Sequence, residues 1–179
     1  MTKYIIPFLF LIYPLALAGN TYYWHGTSAA DPTDFSLVGN WTENQDGTGA
    51  NPPGDFSGLS LYFNGWGPGS DNNCTMTADE TVKNINWQGY TGVFNHNGKA
   101  MYILGNAPCH EHYSTAGEDN AKMEFIASSG VQTFVPRPNT QMTHIIHSGA
   151  GTLKIQAFEI ITKSFTQTAG VLDFNGNNL

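Results

Sequence analysis

Gly170-Val171-Leu172-Asp173-Phe174-Asn175-Gly176 has an earlier copy, Gly92-Val93-Phe94-Asn95-His96-Asn97-Gly98. Both run Gly-Val, a large apolar residue, a small polar one, a variable residue and Asn-Gly. Between them, Gly130-Val131-Gln132-Thr133-Phe134 and Gly151-Thr152-Leu153-Lys154-Ile155 open in the same way. The four glycines stand 38, 21 and 19 residues apart. A period near 19–21 fits if one rung near residue 111 is degenerate. A short unit repeated at such a period cannot bury its apolar face alone and must stack on its neighbours, so the chain is expected to be a solenoid.

The unit reads as strand. From residue 74 onward the expected strands are Cys74–Thr77, Val82–Trp87, Gly92–Asn95, Met101–Leu104, Met123–Ile126, Gln132–Val135, Thr143–His147, Thr152–Ile155, Phe158–Thr162, Ser164–Thr168 and Val171–Phe174. Gly, Asn or Pro punctuates most gaps, and no stretch carries a helical period with caps. The prediction is an all-β protein, a parallel β-helix whose inward residues (Val171, Phe174, Leu153, Ile155) stack in columns. An antiparallel sandwich also uses many short strands and is the competing architecture. The bias of parallel crossovers makes a right-handed coil the expectation.

Residues 19–73 differ. They hold Trp24, Trp41 and Trp66 among clusters of Gly, Pro, Asn, Asp and Ser. Thr21–Trp24 and Leu59–Phe63 read as strands, and residues 46–55 as turns throughout. This segment is expected to be an aromatic-rich cap over the first rung, with residues 74–179 as the rungs.

Residues 1–18 have the form of a secretory signal peptide: Lys3, an apolar run from Tyr4 to Leu17, and Ala16-Leu17-Ala18 as the cleavage site. The run is short for a bilayer crossing and contains Pro7 and Pro14, so no membrane span is expected after cleavage. The implied address is secreted or cell-surface. The chain has net charge −7, and its one arginine is Arg137. It has little with which to neutralise phosphates, so nucleic acid is not an expected partner, and anionic polysaccharide is disfavoured for the same reason. Cys74 and Cys109 permit one disulfide, or stand as two buried free thiols. Asn40-Trp41-Thr42 and Asn73-Cys74-Thr75 match the N-glycosylation pattern. After Asn175-Gly176 the sequence stops where another strand would start. That suggests either a fragment of a longer solenoid or an open end that stacks on another subunit.

Trp24-His25-Gly26, Phe35, Asn40-Trp41, Pro52-Pro53 and Phe63-Asn64-Gly65 resemble the opening of large bacterial cell-surface β-solenoid proteins of the adhesin or autotransporter-passenger type. Gly130–Phe134 and Ser164–Asn177 resemble the repeats that follow there. The resemblance implies an exported protein with a structural or adhesive role and no catalytic residues to carry over. Its implied partners are cell-surface glycans or neighbouring subunits. Residues 105–122 depart from the pattern.

Three constellations could carry chemistry. Cys109-His110-Glu111-His112 puts His110 and His112 on one side of a strand as metal ligands, with His144 and His147 about two rungs on. The alternative is surface histidines, and no cofactor is expected. Asp31, Asp34, Asp55, Asp71, Asp79-Glu80, Glu118-Asp119 and Glu124 could serve glycoside cleavage, and Arg137 or Lys122 a lyase. An Asp in turn-rich sequence more often binds local backbone, so the chain is read as no enzyme. Flat aromatics could stack on sugar rings, and Trp66, Tyr62 and Trp41 are the candidates. Trp66 lies between Gly65 and Gly67 and is expected to be exposed. A carbohydrate-binding or carbohydrate-cleaving β-helix is the alternative to a purely structural role.

Overall fold

The computed structural model describes residues 20–110, 121–136, 141–156 and 161–176. The signal sequence, Glu111, His112, Glu118, Asp119 and Arg137 lie outside the described residues.

Strand β1 (Thr21–Trp24) is followed by a short 3-10 turn, Val38–Asn40, which leads into β2 (Trp41–Thr42). Next come β3 (Ser60–Tyr62), β4 (Cys74–Thr75), β5 (Glu80–Val82), β6 (Asn84–Asn86), β7 (Phe94–Asn95), β8 (Ala100–Ile103) and β9 (Ala107–His110). The later rungs are β10 (Lys122–Phe125), β11 (Val131–Pro136), β12 (Gln141–His147), β13 (Thr152–Ile155), β14 (Ile161–Gln167) and β15 (Val171–Asp173).

These strands stack as a parallel β-solenoid. One sheet has the order β14-β12-β10-β8-β5, a second β15-β13-β11-β9, a third β2-β1-β3-β6, and a two-stranded sheet joins β4 to β7. Every pairing is parallel except β1 with β2. The antiparallel sandwich is thereby ruled out for the described residues. The ladder reaches back through β3 to β1, so the aromatic N-terminal segment contributes strands to the coil.

The register explains the sequence repeat. Val131, Thr152 and Val171 face one another on successive rungs, so Gly130, Gly151 and Gly170 each mark entry into one sheet. Gly92 does not belong to that ladder, because β7 pairs with β4. The two full copies share a turn instead. Asn97-Gly98 and Asn175-Gly176 both have positive φ, and Asn97 and Asn175 are the two non-glycine residues to do so among the described residues. In each, the side chain two residues earlier accepts the asparagine N–H at 2.7 Å: Asn95 in one, Asp173 in the other. The degenerate rung is β9, with Ala107 opposite Phe134.

Two expected strands change at corners. Val82–Trp87 splits at Lys83, where the chain leaves one sheet for another as β5 and β6. Gly105 lies over this corner on the next rung, and a side chain there would collide with Asn84 Oδ1. Phe158–Thr162 and Ser164–Thr168 give way to one strand, β14, whose described span starts at Ile161.

The core runs along the coil axis. Met101, Met123 and Ile145 form one inward column, and Val82, Ile103, Phe125 and His147 the next. At the N-terminal end the filling is aromatic. Trp24, Phe35 and Phe63 each lie 5.2 Å from Trp41, ring centre to ring centre. Edge-to-face packing of this kind fills a wide cross-section without polar atoms beyond the indole N–H. Those are satisfied here, since Trp24 donates to Asn72 O and Trp41 to Phe35 O.

Candidate functional site

Phe63 points into the core, and the chain then leaves the coil as Asn64-Gly65-Trp66-Gly67-Pro68-Gly69-Ser70. This loop lies flat on residues 24–25 and 44–47. The N–H of Trp66 donates to Gln45 O at 2.9 Å, and Gln45 Nε2 donates to Asn64 O at 3.4 Å. His25, buried beneath, places its ring nitrogens 3.4 Å from Pro68 O and 3.3 Å from Asn44 O, so the ring bridges the two loops.

The three glycines allow the close approach. A Cβ on Gly65 would stand 2.9 Å from Trp24 O. One on Gly67 would overlap Asp46 O, and one on Gly69 would overlap His25 O. Their alternation with Trp66 and Pro68 presses every second residue against the body and turns the indole outward. Trp66 is 71% exposed, while Trp24, Trp41 and Trp87 are fully buried.

The other two aromatic candidates divide. Tyr62 is half-buried on β3 with its ring 5.9 Å from that of Tyr23, its register partner. Trp41 requires a correction. It is 0% exposed and locked among Trp24, Phe35 and Phe63, so it has no free face for a ligand. Asn40, the acceptor of the first glycosylation pattern, is likewise buried. Its side chain receives Ser28 N–H and donates to Asp31 O and Asp34 O. Asn73, in the second pattern, is exposed.

Cys74 is a buried free thiol, and burial pushes its pKa well up. Cys109 lies on β9, in a different sheet, and its side chain is outside the described ones. His110 ends the same strand, opposite Pro136, again with its side chain undescribed. His112 lies outside the described residues, and β9, which carries His110, is in a different sheet from β12, which carries His144 and His147. The two histidines of β12 point to opposite sides, His147 inward and His144 outward. Among the described residues no three His, Cys, Asp or Glu side chains gather as a metal site.

The turn aspartates serve the backbone. Asp31, Asp46 and Asp55 each accept the N–H and hydroxyl of the residue two positions on, Thr33, Thr48 and Ser57. These hydrogen bonds lower all three carboxyl pKa values. Asp34 accepts Ser36 N–H and the Thr77 hydroxyl, and Asp79 accepts Ala100 N–H.

A second group escaped the sequence reading. On the outer face of the long sheet, Lys122 Nζ lies 3.2 Å from Glu124 and 5.2 Å from the Tyr102 ring centre. Ser148 donates to the other Glu124 oxygen, and His144 Nδ1 is 2.6 Å from Ser164 Oγ. Their spacing held the signal: Lys122, His144 and Ser164 are register partners, as are Tyr102 and Glu124. The hydroxyl–imidazole pair resembles half of a nucleophilic site. Ser164 lies on β14, the last strand of this sheet, which pairs with β12 on one side. Glu124 is occupied by Lys122 and Ser148. The strip ties rung to rung.

No helix among the described residues is long and apolar enough to cross a membrane. No family model, curated protein or solved structure matches this chain, so what it does must be argued from its own surface.

Proposed function

We propose that the chain is an exported surface or extracellular-matrix protein with an adhesive or structural role, non-catalytic, and of the adhesin-like type that its opening and repeat phrases resemble. The observation that carries this reading is the coil with Trp66 held out from its flank. A solenoid displays a long, stiff surface whose loops can vary while the rungs stay fixed. On its longest sheet Lys122, Glu124 and Ser148, and His144 with Ser164, are engaged with one another. The acidic balance leaves glycans or further copies of the chain as the partners of choice over nucleic acid.

The test is to express residues 1–179 in a secreting bacterial host, sequence the N-terminus of the product, and coat it on beads presented to glycan-rich layers. The expected product is found outside the cytoplasm, starts at Gly19, and retains beads without releasing reducing ends. A product that stays in the cytoplasm contradicts the export reading. Release of oligosaccharide contradicts the non-catalytic one.

A further inference from the structure

We propose that Trp66 is the stacking platform of a binding site for a neutral saccharide, on the loop 64–70. This rests on the adhesive reading above and names the chemistry of the surface it would use.

Three observations converge. First, the indole has every physical reason to be buried. A tryptophan removes 150–250 Å² of surface when buried, and the aromatic core lies directly beneath this loop. The chain nonetheless holds Trp66 71% exposed.

Second, the loop that carries it is fixed. Its backbone is hydrogen-bonded to Gln45, and Gly65, Gly67 and Gly69 seat it against carbonyl groups of the body, where no side chain would fit. A ring presented on a preorganised backbone loses little freedom on binding, which is what a recognition residue needs.

Third, Trp66 is not part of an apolar patch of the kind a protein partner would cover. Its chain neighbours are Gly65 and Gly67, the loop beneath brings Gln45 and Asp46 against them, and the other exposed large apolar residues, Val93, Leu104, Val131 and Val171, belong to neither loop. A pyranose has an apolar C–H face and a rim of hydroxyls, and it matches one flat aromatic bordered by hydrogen-bonding groups. Asp46 sets the charge class. Its carboxylate is kept ionised by the Thr48 hydroxyl and N–H, so an acidic sugar would be repelled.

The test uses the chain from Gly19 onward, which contains every described residue. The probes are cellohexaose, mannohexaose and chitohexaose, with tetragalacturonate as the acidic comparison. The readout is acrylamide quenching of tryptophan fluorescence. Because the other three tryptophans are buried, the quenchable emission is that of Trp66, and Trp66→Phe removes it. At least one neutral hexaose is expected to shield the indole. Titration calorimetry, which needs no indole, reads the variants: Trp66→Ala should weaken binding about tenfold or more, and Trp66→Tyr should keep most of it. An unchanged unfolding midpoint in both variants separates loss of the site from loss of the fold.

The proposal is overturned if no neutral probe shields Trp66 at millimolar concentration, if Trp66→Ala binds as the parent does, or if the acidic probe is preferred. Bead retention that survives Trp66→Ala would remove this site and leave the adhesive reading in place. Saccharide binding by a chain that is not exported would do the reverse.

Discussion

Residues 26–72 and residues 122–155 hold their shape by different means. In the first region irregular loops are pinned one by one. Asn40 alone fixes Ser28, Asp31 and Asp34 through its buried side chain, and Asn72 receives the Trp24 indole and the Tyr90 hydroxyl on its carbonyl while its amide reaches Gly26 O. In the second region one side chain has comparable reach, the buried Gln132, which accepts Ala127 N–H and donates to Ile103 O and Gly105 O across the corner of the previous rung. Each strand is held by the ladder on both sides, in a register that repeats from rung to rung. The repeating part gains most of its stability from many equivalent contacts, with Gln132 pinning one corner, and the loop-rich part depends on several such individual pins. That division places a surface loop with a fixed shape, and with it Trp66, in the N-terminal region.

Asn40→Ala should break this contrast most severely. It strands Ser28 N–H and the Asp31 and Asp34 carbonyls, groups that are part-buried or near the surface, so each costs toward the low end of about 1–3 kcal/mol and a loss of about 4 kcal/mol is expected in urea unfolding. Asn106→Ala, which removes one acceptor from Thr133 N–H at an exposed corner, should cost about 1 kcal/mol.

The glycines give the same contrast in a matched pair. Gly69 and Gly130 both have positive φ, +78° and +77°. A methyl on Gly69 would overlap His25 O, while one on Gly130 meets nothing. Gly69→Ala should cost about 3–4 kcal/mol, combining backbone strain and overpacking, against about 1 kcal/mol for Gly130→Ala. Equal thermal shifts would mean that the loop is not seated as described.

Acid sharpens the comparison from within the core. His96 sits in the first full copy of the repeat where the second has Phe174. It is buried with both ring nitrogens unpartnered. Burial lowers its pKa from 6.5 to about 4, opposed only weakly by the Lys99 backbone. The unfolded chain therefore binds a proton that the fold refuses. The stability His96 contributes is whole above pH 6.5 and drains between pH 6.5 and 4, by about 3 kcal/mol in all. His147, inward in the column above Phe125, is likewise unpartnered, and burial lowers its pKa too. His96→Phe, which restores the residue type of the other copy, should flatten the fall in urea midpoint across that window. An unchanged slope would assign the acid loss elsewhere.

The smallest effect is expected at Trp66. Trp66→Ala should move the unfolding free energy by no more than about 0.5 kcal/mol, because the ring touches solvent and the loop is held by backbone and glycines. A large loss would mean that the indole packs in solution.

The sequence shows the solenoid most clearly where local chemistry repeats. The Asn-Gly turns and the glycines at 130 and 170 could be read because each marks a conformation that few other residues adopt, and Gly151 because a side chain there would crowd Gly130 O on the rung before. The corner at Lys83 could not. Thr81-Val82-Lys83-Asn84-Ile85 has unbroken strand character, and Gly105, which makes room for the turn, stands a full rung away. Trp66 was legible from its flanking glycines. Trp41 was misjudged because its neighbours are turn formers, and only the folded chain brings Trp24, Phe35 and Phe63 around it. The strip of Tyr102, Lys122, Glu124 and His144 was hidden because register decides which of these residues meet.

The strands stack in parallel from rung to rung. Thr133 and Lys154 are register partners on the outer face of neighbouring rungs. Strands so paired lie about 4.8 Å apart, within reach of a disulfide. An antiparallel hairpin of β11 and β12 would instead bring residue 133 to residue 144. The most direct measurement is oxidation of two double variants, Thr133→Cys/Lys154→Cys and Thr133→Cys/His144→Cys. Mass spectrometry of the linked peptides would distinguish the new bond from any made by Cys74 or Cys109. The parallel solenoid predicts rapid cross-linking in the first and none in the second. Cross-linking in the second and not the first would contradict it.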